Sequence, residues 1–461
     1  MPCFSAPEAL PKVPLLQSAG RRPTLPSIAA EQCMQSAARD SVYFWSRLFL
    51  TGVLATLGAC GRPVDEPQAG NYRATLQLPG GETPFGLAVA EENKRFVLYL
   101  SNATERTRVE NVTLADGELK AVFPGYENSL QARMYRDRLA GAVTLIKAGG
   151  KEQVIPFEAR LQGKDEATYR FYKDSLTDNA DLAGRWSMTL TGDDGKSDPA
   201  VAIFEQQHDR VTGTVMTPTG DHRFLEGQVH GEEAQLSTFA GGLAYLYKVK
   251  VNQHGELEGE MWQGLASHSK VKARRDENAT LDGQGPSTEL KDETARFDFT
   301  FRDQDGNAVS LHDPRFRNKV VVVTLGGSWC PNCHDEAAFL VPFHEEYQSK
   351  GVEIVALMFE RHGEFDRAAQ AVRGYRKDLG IKFTTLIAGV SETDEASKAL
   401  PTLTGIYGYP TTIVVDRTGK VRDIHVGFSG PATGRHYEEY VAEFRGLIDS
   451  LLTEPGPPPS G

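Results

Sequence analysis

The chain has 461 residues, room for two to four domains, and 40% of them are apolar, enough to build real cores. A formal net charge of −12 argues against nucleic acid as a partner. Of the five cysteines, Cys3, Cys33 and Cys60 stand near the start and Cys330 and Cys333 form a pair far downstream. Residues 1–59 read as an export segment. Arg39 and Arg47 precede an apolar run over 48–57, and Gly58-Ala59-Cys60 follows. This is a basic n-region, a short h-region and a small-residue cleavage site. The run is too short to span a bilayer comfortably. An uncleaved anchor or a buried helix is the competing reading of such a stretch. Met34 is an alternative start, since 34–60 has ordinary signal length.

Leu57-Gly58-Ala59-Cys60 resembles a bacterial lipobox. The resemblance implies cleavage before Cys60 and lipidation of that cysteine, placing the mature protein in the periplasm on a lipid anchor in a bacterial membrane. Cys3 and Cys33 would then be absent from the mature chain. The free thiols left would be Cys330 and Cys333, which suits a dedicated redox pair in an oxidising compartment. Residues 60–69 form a short polar tether.

From 70 to about 278 the pattern changes to short alternating runs separated by Gly, Asp and Asn, a β-meander signature. Arg95-Phe96-Val97-Leu98-Tyr99-Leu100 is one such run, and Asp116-Gly117 and His254-Gly255 mark turns. Ala69-Gly70-Asn71-Tyr72-Arg73 returns as Ala183-Gly184-Arg185-Trp186-Ser187, an offset of 184 − 70 = 114. The spacing predicts two all-β modules, 70–176 and 177–278. Gly-x-Trp at the start of a meander resembles small lipocalin-like barrels, a likeness that names no ligand. A spacer or protein-docking role is the plainer expectation. His208, His222, His230, His254 and His268 lack metal-ligand spacing and are expected at the surface. Residues 279–294, rich in Gly, Pro, Ser and acids, read as a linker.

The segment 295–453 carries the chemistry. Phe297, Phe299 and Phe301 alternate into a hairpin turn at Asp303-Gln304-Asp305-Gly306. Four valines, 320–323, then lead to Trp329 and to Cys330-Pro331-Asn332-Cys333, followed by apolar residues at helical spacing. That is a buried strand, a turn, and a helix with Cys-x-x-Cys at its start. A helix N-terminus offers unpaired N–H groups and partial positive charge, which favour thiolate at Cys330 and make it the attacking sulfur. Cys333, one turn further in, is placed to close a disulfide with it. Residues 352–359 form an apolar run expected as a central strand, with Glu360 at its carboxyl end, where active residues of open α/β sheets gather. Gly408-Tyr409-Pro410-Thr411 opens a further strand, a position that suits a cis proline. A helical stretch over 363–379 and a strand over 383–387 lie between. A strand over 421–426 and a last helix follow, and 454–461 read as a disordered tail.

Tryptophan before a cysteine pair, answered by a proline opening a later strand, resembles the thioredoxin superfamily. The insert between the two motifs is similar to the TlpA/ResA group of extracytoplasmic thiol–disulfide reductases. The resemblance implies a thioredoxin-like α/β domain after the two all-β modules, with Cys330, Cys333 and Pro410 catalytic and Trp329, Pro331, Tyr409 and Thr411 receiving the partner's backbone. It implies reduction of disulfides in exported proteins, with electrons from a membrane thiol-reducing transporter, no dissociable cofactor and no metal. Thioredoxin carries an aspartate in the strand before its cysteines, where Thr324 stands here. Glu360 is the candidate substitute as proton relay, against the alternative of a solvated strand-end acid. ResA-like proteins place a glutamate one residue later.

Two rival chemistries share these motifs. Cys330-Pro331-Asn332-Cys333-His334 also fits Cys-x-x-Cys-His, the c-type haem attachment signature, but haem c domains are small and helical. His334 is expected on the exposed helix flank, adding charge near the thiols when protonated. A thiol peroxidase of the peroxiredoxin kind would need proline and threonine where Val323 and Gly327 stand. A third alternative is a binding lipoprotein whose β-modules recognise a ligand and whose redox domain is regulatory. The anchor is directly testable. Labelled fatty acid should enter the wild-type protein and not Cys60→Ala, because cleavage and acylation both need that cysteine. Label persisting in the variant would exclude the lipobox.

Overall fold

The computed structural model describes residues 62–456, except 164, 165, 286 and 293–295. Cys3, Cys33, the stretch expected to direct export, Cys60, and residues 457–461 lie outside the described residues.

Period-two alternation builds the first module. In Gly70–Leu78 the side chains of Tyr72, Ala74, Leu76 and Leu78 turn inward and are buried. Nine antiparallel strands run from there to Lys151–Leu161 in an up-and-down path. The first strand pairs with both the second, Gly70 opposite Val89, and the last, Tyr72 opposite Leu161. The two outer strands, Glu105–Val109 and Asn111–Ala115, are not paired with each other, so the sheet is a near-barrel. The tight turn at Asp116-Gly117 places both residues at positive φ, 53° and 73°, as a two-residue hairpin requires.

The second module repeats the plan and closes. Gly184–Gly192 pairs with Ser197–Gln207 and with the last strand, Ser267–Arg275. Ser197–Gln207 also pairs with Arg210–Thr217, which completes an eight-stranded ring without free edges. Trp186, the counterpart of Tyr72, is 1% exposed and donates its indole N–H to the Leu182 carbonyl at 2.9 Å. Trp186, Met188, Phe204, Tyr247 and Met261 pack together as the barrel core.

The modules are fused rather than strung. Phe239 and Leu246 of the second pack into the core of the first, and the Phe239 ring meets Phe85 and Phe123 edge-on at 5.2 and 5.4 Å. Asn102 donates to the Phe239 carbonyl and accepts from its N–H. The tether is tied down too: Val64 donates to the Met134 carbonyl and packs on the first core. So is part of the linker, where Leu290 bridges to Leu403 and the Lys291 N–H donates to Thr402.

The C-terminal domain is a mixed seven-stranded sheet. Its order is Ala308–Ser310, Thr300–Asp303, Thr384–Val390, Val352–Glu360, Val320–Gly326, Thr411–Val415, Val421–Val426. Val320–Gly326 is buried along its whole length, parallel to Val352–Glu360 and antiparallel to Thr411–Val415. Val321, Val323 and Leu325 face one core and Val320 and Val322 the other, so the unbroken apolar run reflects burial on both faces. Pro331–Tyr347, Phe365–Leu379 and Arg435–Thr453 are the long helices. Phe297 and Phe299 precede the hairpin strand and anchor it as buried side chains. No described helix is long and apolar enough to cross a membrane.

Candidate active site

The central strand delivers Gly327, Ser328 and Trp329 to the start of the Pro331–Tyr347 helix. Cys330 is its N-cap, with extended backbone, and Pro331 takes the first helical position, where its missing N–H costs nothing. The Cys330 Sγ accepts the Cys333 N–H at 3.3 Å and donates to the Tyr409 carbonyl at 3.5 Å. Both thiols are free, 4% and 3% exposed. Burial, reinforced by Cys330 alongside, pushes the Cys333 thiol well above its usual range. The Tyr409–Pro410 peptide is cis, and Thr411 is fully buried, donating to the Gly408 carbonyl at 2.9 Å. Trp329 donates its indole N–H to Phe359 O at 2.8 Å and meets the Tyr409 ring edge-on at 5.6 Å. The Arg361 guanidinium lies 3.7 Å over the Trp329 ring, a cation held beside the thiol-bearing turn.

Two buried carboxyls flank this turn. Glu360 is fully buried, so the solvated alternative is excluded. Its oxygens accept the Ser328 N–H at 2.9 Å and hydroxyl at 2.7 Å, and burial pushes its carboxyl up to about 7. Those bonds fix the residue two before Cys330. Its hydrogen bonds go to Ser328 and to neither cysteine.

The acid beside Cys333 is one the sequence reading overlooked. Glu336 lies one turn after Cys333 and is 3% exposed. The hydroxyls of Thr324 and Thr412 donate to its two oxygens, and burial holds its carboxyl up at about 7 against their pull. Thr324 therefore does not leave the strand without a buried acid; it receives one from the helix. A cavity of about 10 Å³, room for one water, is lined by Cys333, Glu336, Thr324 and Tyr375 among others. The i, i+3 spacing of Cys333 and Glu336 was the available signal.

The histidine expectations are corrected. His334 is buried, not exposed: its ring stacks on Tyr126 at 3.9 Å, its Nε2 donates to the Ser328 carbonyl at 2.7 Å, and burial drives it down to about 3. It is neutral and gives the thiols no charge. His222 is likewise buried, hydrogen-bonded to the Tyr247 hydroxyl at 2.6 Å, and pushed down to about 3.

Pro331, Tyr409 and Thr411, expected on an open docking face, are buried as well. The β-modules lie over Pro331 and Asn332, whereas Trp329 and Phe359 of the same domain pack against Tyr409. Asn332 donates to the Asp221 carbonyl at 3.1 Å, and Arg223 donates to the Pro331 carbonyl at 3.1 Å and to Asp335 at 2.7 Å. On the other flank Glu127 pairs with His362 at 2.9 Å, and the Gly150 N–H donates to the Arg361 carbonyl at 3.0 Å. No sequence motif marks Tyr126, Asp221 or Arg223.

Against this geometry, the Redoxin family model matches residues 291–440. Residues 291–440 are a redoxin domain. Over 143 residues the chain is 29% identical to the thiol-disulfide oxidoreductase ResA of Bacillus thuringiensis subsp. konkukian (strain 97-27), covering 31% of this chain and 72% of that protein. Over 150 residues it is 25% identical to ResA of Bacillus subtilis (strain 168), covering 32% and 72%. A thioredoxin-family thiol:disulfide interchange protein of Chlorobium tepidum TLS is similar over 36% of this chain and 99% of that one, at 23% identity and a TM-score of 0.27. The chain thus carries a C-terminal redoxin domain with distant homologues among the ResA-type thiol–disulfide oxidoreductases.

The buried acid of the redoxin domain has a thermodynamic signature. With Glu336 raised from 4.5 to about 7, the folded chain keeps a proton there that the unfolded chain has released. Stability therefore falls as pH rises through that window. In urea unfolding, the stability lost between pH 4.5 and 7.5 should shrink by about 3 kcal/mol in Glu336→Gln. An unchanged loss would mean that Glu336 is ionised throughout.

Proposed function

We propose that the chain is an extracytoplasmic thiol–disulfide oxidoreductase that reduces disulfides of exported partner proteins, anchored to a bacterial membrane through lipid on Cys60. The observation that carries the reading is the pair itself: two free thiols at a helix start, the first receiving the N–H of the second at 3.3 Å. In the forward reaction the Cys330 thiolate attacks one substrate sulfur, and the other leaves as thiolate. Cys333 then gives up its proton and attacks the Cys330 Sγ, releasing the second substrate thiolate and leaving a Cys330–Cys333 disulfide. Two electrons pass to the substrate, and each released thiolate takes up a proton. Glu336, across the small cavity from Cys333, is placed to receive the Cys333 proton.

The similarity to the ResA proteins, which are thiol-disulfide oxidoreductases, supports the reaction class. The TlpA/ResA resemblance of the motifs supports the reductive direction and a membrane thiol-reducing transporter as electron donor. The chemistry proposed needs no dissociable cofactor or metal. Trp329, half-buried, borders the position a partner's backbone would take, and Glu360 holds the preceding turn rather than moving the proton.

The two thiols should not be interchangeable. Cys333→Ser should leave an attacking thiol that cannot be resolved, so mixed disulfides with partner proteins accumulate on Cys330. Cys330→Ser should accumulate almost none, because the remaining thiol is buried and held protonated. Non-reducing gels of periplasmic extracts separate the two, and mass spectrometry of the trapped band names the substrate. Equal trapping by both variants would refute the assignment of roles, and covalent haem on the wild type would move the protein to the cytochrome class.

A further inference from the structure

A thiol that attacks disulfides in folded proteins needs a face on which the partner can settle, and reactive cysteines ordinarily stand partly exposed. Cys330 is 4% exposed, and the dipeptide after it is roofed by the second barrel. A Cβ built on Gly220 would stand 2.7 Å from Asn332, and one on Gly242 2.9 Å from Pro331, so the roof sits at contact distance with glycine where any side chain would collide.

Arg223 is the centre of this roof. It comes from the turn after Gly220–Asp221, with φ of +56°, and its side chain is 16% exposed. Its Nη1 donates to the Pro331 carbonyl at 3.1 Å and to Asp335 Oδ2 at 2.7 Å, both on the cysteine helix. Its Nε donates to Glu105 Oε1 at 3.2 Å, and Glu105 belongs to the first module. One guanidinium thus ties both β-modules to the first turn of the redox helix.

The two kinds of junction in the molecule differ. The modules are joined to each other through an apolar core of Phe85, Phe123 and Phe239. Among the described residues, their contacts with the redox helix include the hydrogen bonds and ion pairs of Arg223 and Asn332, the stacking of Tyr126 on His334, and the close approach of Gly242 to Pro331. Polar junctions of this kind within a chain resemble transient interfaces, across which relative motion is the default expectation.

We infer that Arg223 is a specificity-determining residue that clasps the β-modules over Cys330. Disulfides in folded proteins then reach the sulfur only while the clasp is open, whereas a small disulfide needs only local loop displacement. The inference rests on Cys330 being the attacking sulfur. The apparent rate toward a bulky substrate scales with the fraction of open molecules, so weakening the clasp raises it.

The test compares the full chain with Arg223→Ala and Glu105→Gln, each checked for folding by circular dichroism. Reduction rates are measured with 2-hydroxyethyl disulfide and with native insulin. Arg223→Ala should speed insulin reduction at least about tenfold and small-disulfide reduction less than about threefold, with Glu105→Gln shifted the same way. Should Arg223→Ala fail to fold, Glu105→Gln carries the comparison. Folded variants that reduce the small disulfide but show no gain on insulin would overturn the clasp and leave the dithiol chemistry standing. A wild type inert toward both disulfides would overturn the dithiol reading, and the clasp with it.

Discussion

The first turn of the Pro331–Tyr347 helix is the constraint that the rest of the molecule serves. A helix start leaves N–H groups without partners and concentrates positive potential there. In this chain one of those groups is satisfied by sulfur, the Cys330 Sγ, at 3.3 Å. The turn's carbonyls and side chains are then claimed from three directions: Tyr409 from the strand that opens with a cis proline, Ser328 from the preceding turn, and Arg223 from a barrel more than a hundred residues upstream. The mixed sheet presents this turn, and residues of the β-modules pack against it.

Around the turn burial disfavours charge on four ionisable groups. His334 is neutral, Cys333 is held as thiol, and Glu336 and Glu360 are poised near 7 rather than in the usual carboxylate range. Two carboxyls in similar environments differ in their partners. Glu360 accepts from Ser328 and fixes geometry, while Glu336 is hung between two threonines next to Cys333. Poised acids of this kind are a mark of functional sites.

What the sequence revealed followed from local rules. The valine run, the Cys-x-x-Cys spacing, the strand-opening proline and the alternation of the two modules each depend on neighbouring residues, and each has its counterpart in the fold. The Gly70/Gly184 repeat marked the opening strand of each sheet, with Tyr72 and Trp186 as equivalent buried anchors. What it concealed depended on distant packing. His334 reads as a flank residue until Tyr126 covers it, and Glu336 reads as an ordinary helix acid until Thr324 and Thr412 enclose it. The roof over Pro331 and Asn332 had no local signal, because Gly220, Arg223 and Gly242 belong to turns whose neighbours are set only when the barrel closes and docks.

The central claim is that Cys330 and Cys333 form one redox couple inside this covered turn. A titration of the full chain in glutathione buffers, quenched by alkylation and read by mass spectrometry at each cysteine, tests it most directly. The account predicts a single two-electron transition in which both residues lose alkylation together, with a tenfold change in the equilibrium for about 30 mV. Independent oxidation of the two cysteines, or stable glutathionylation of Cys330 while Cys333 stays free, would contradict it.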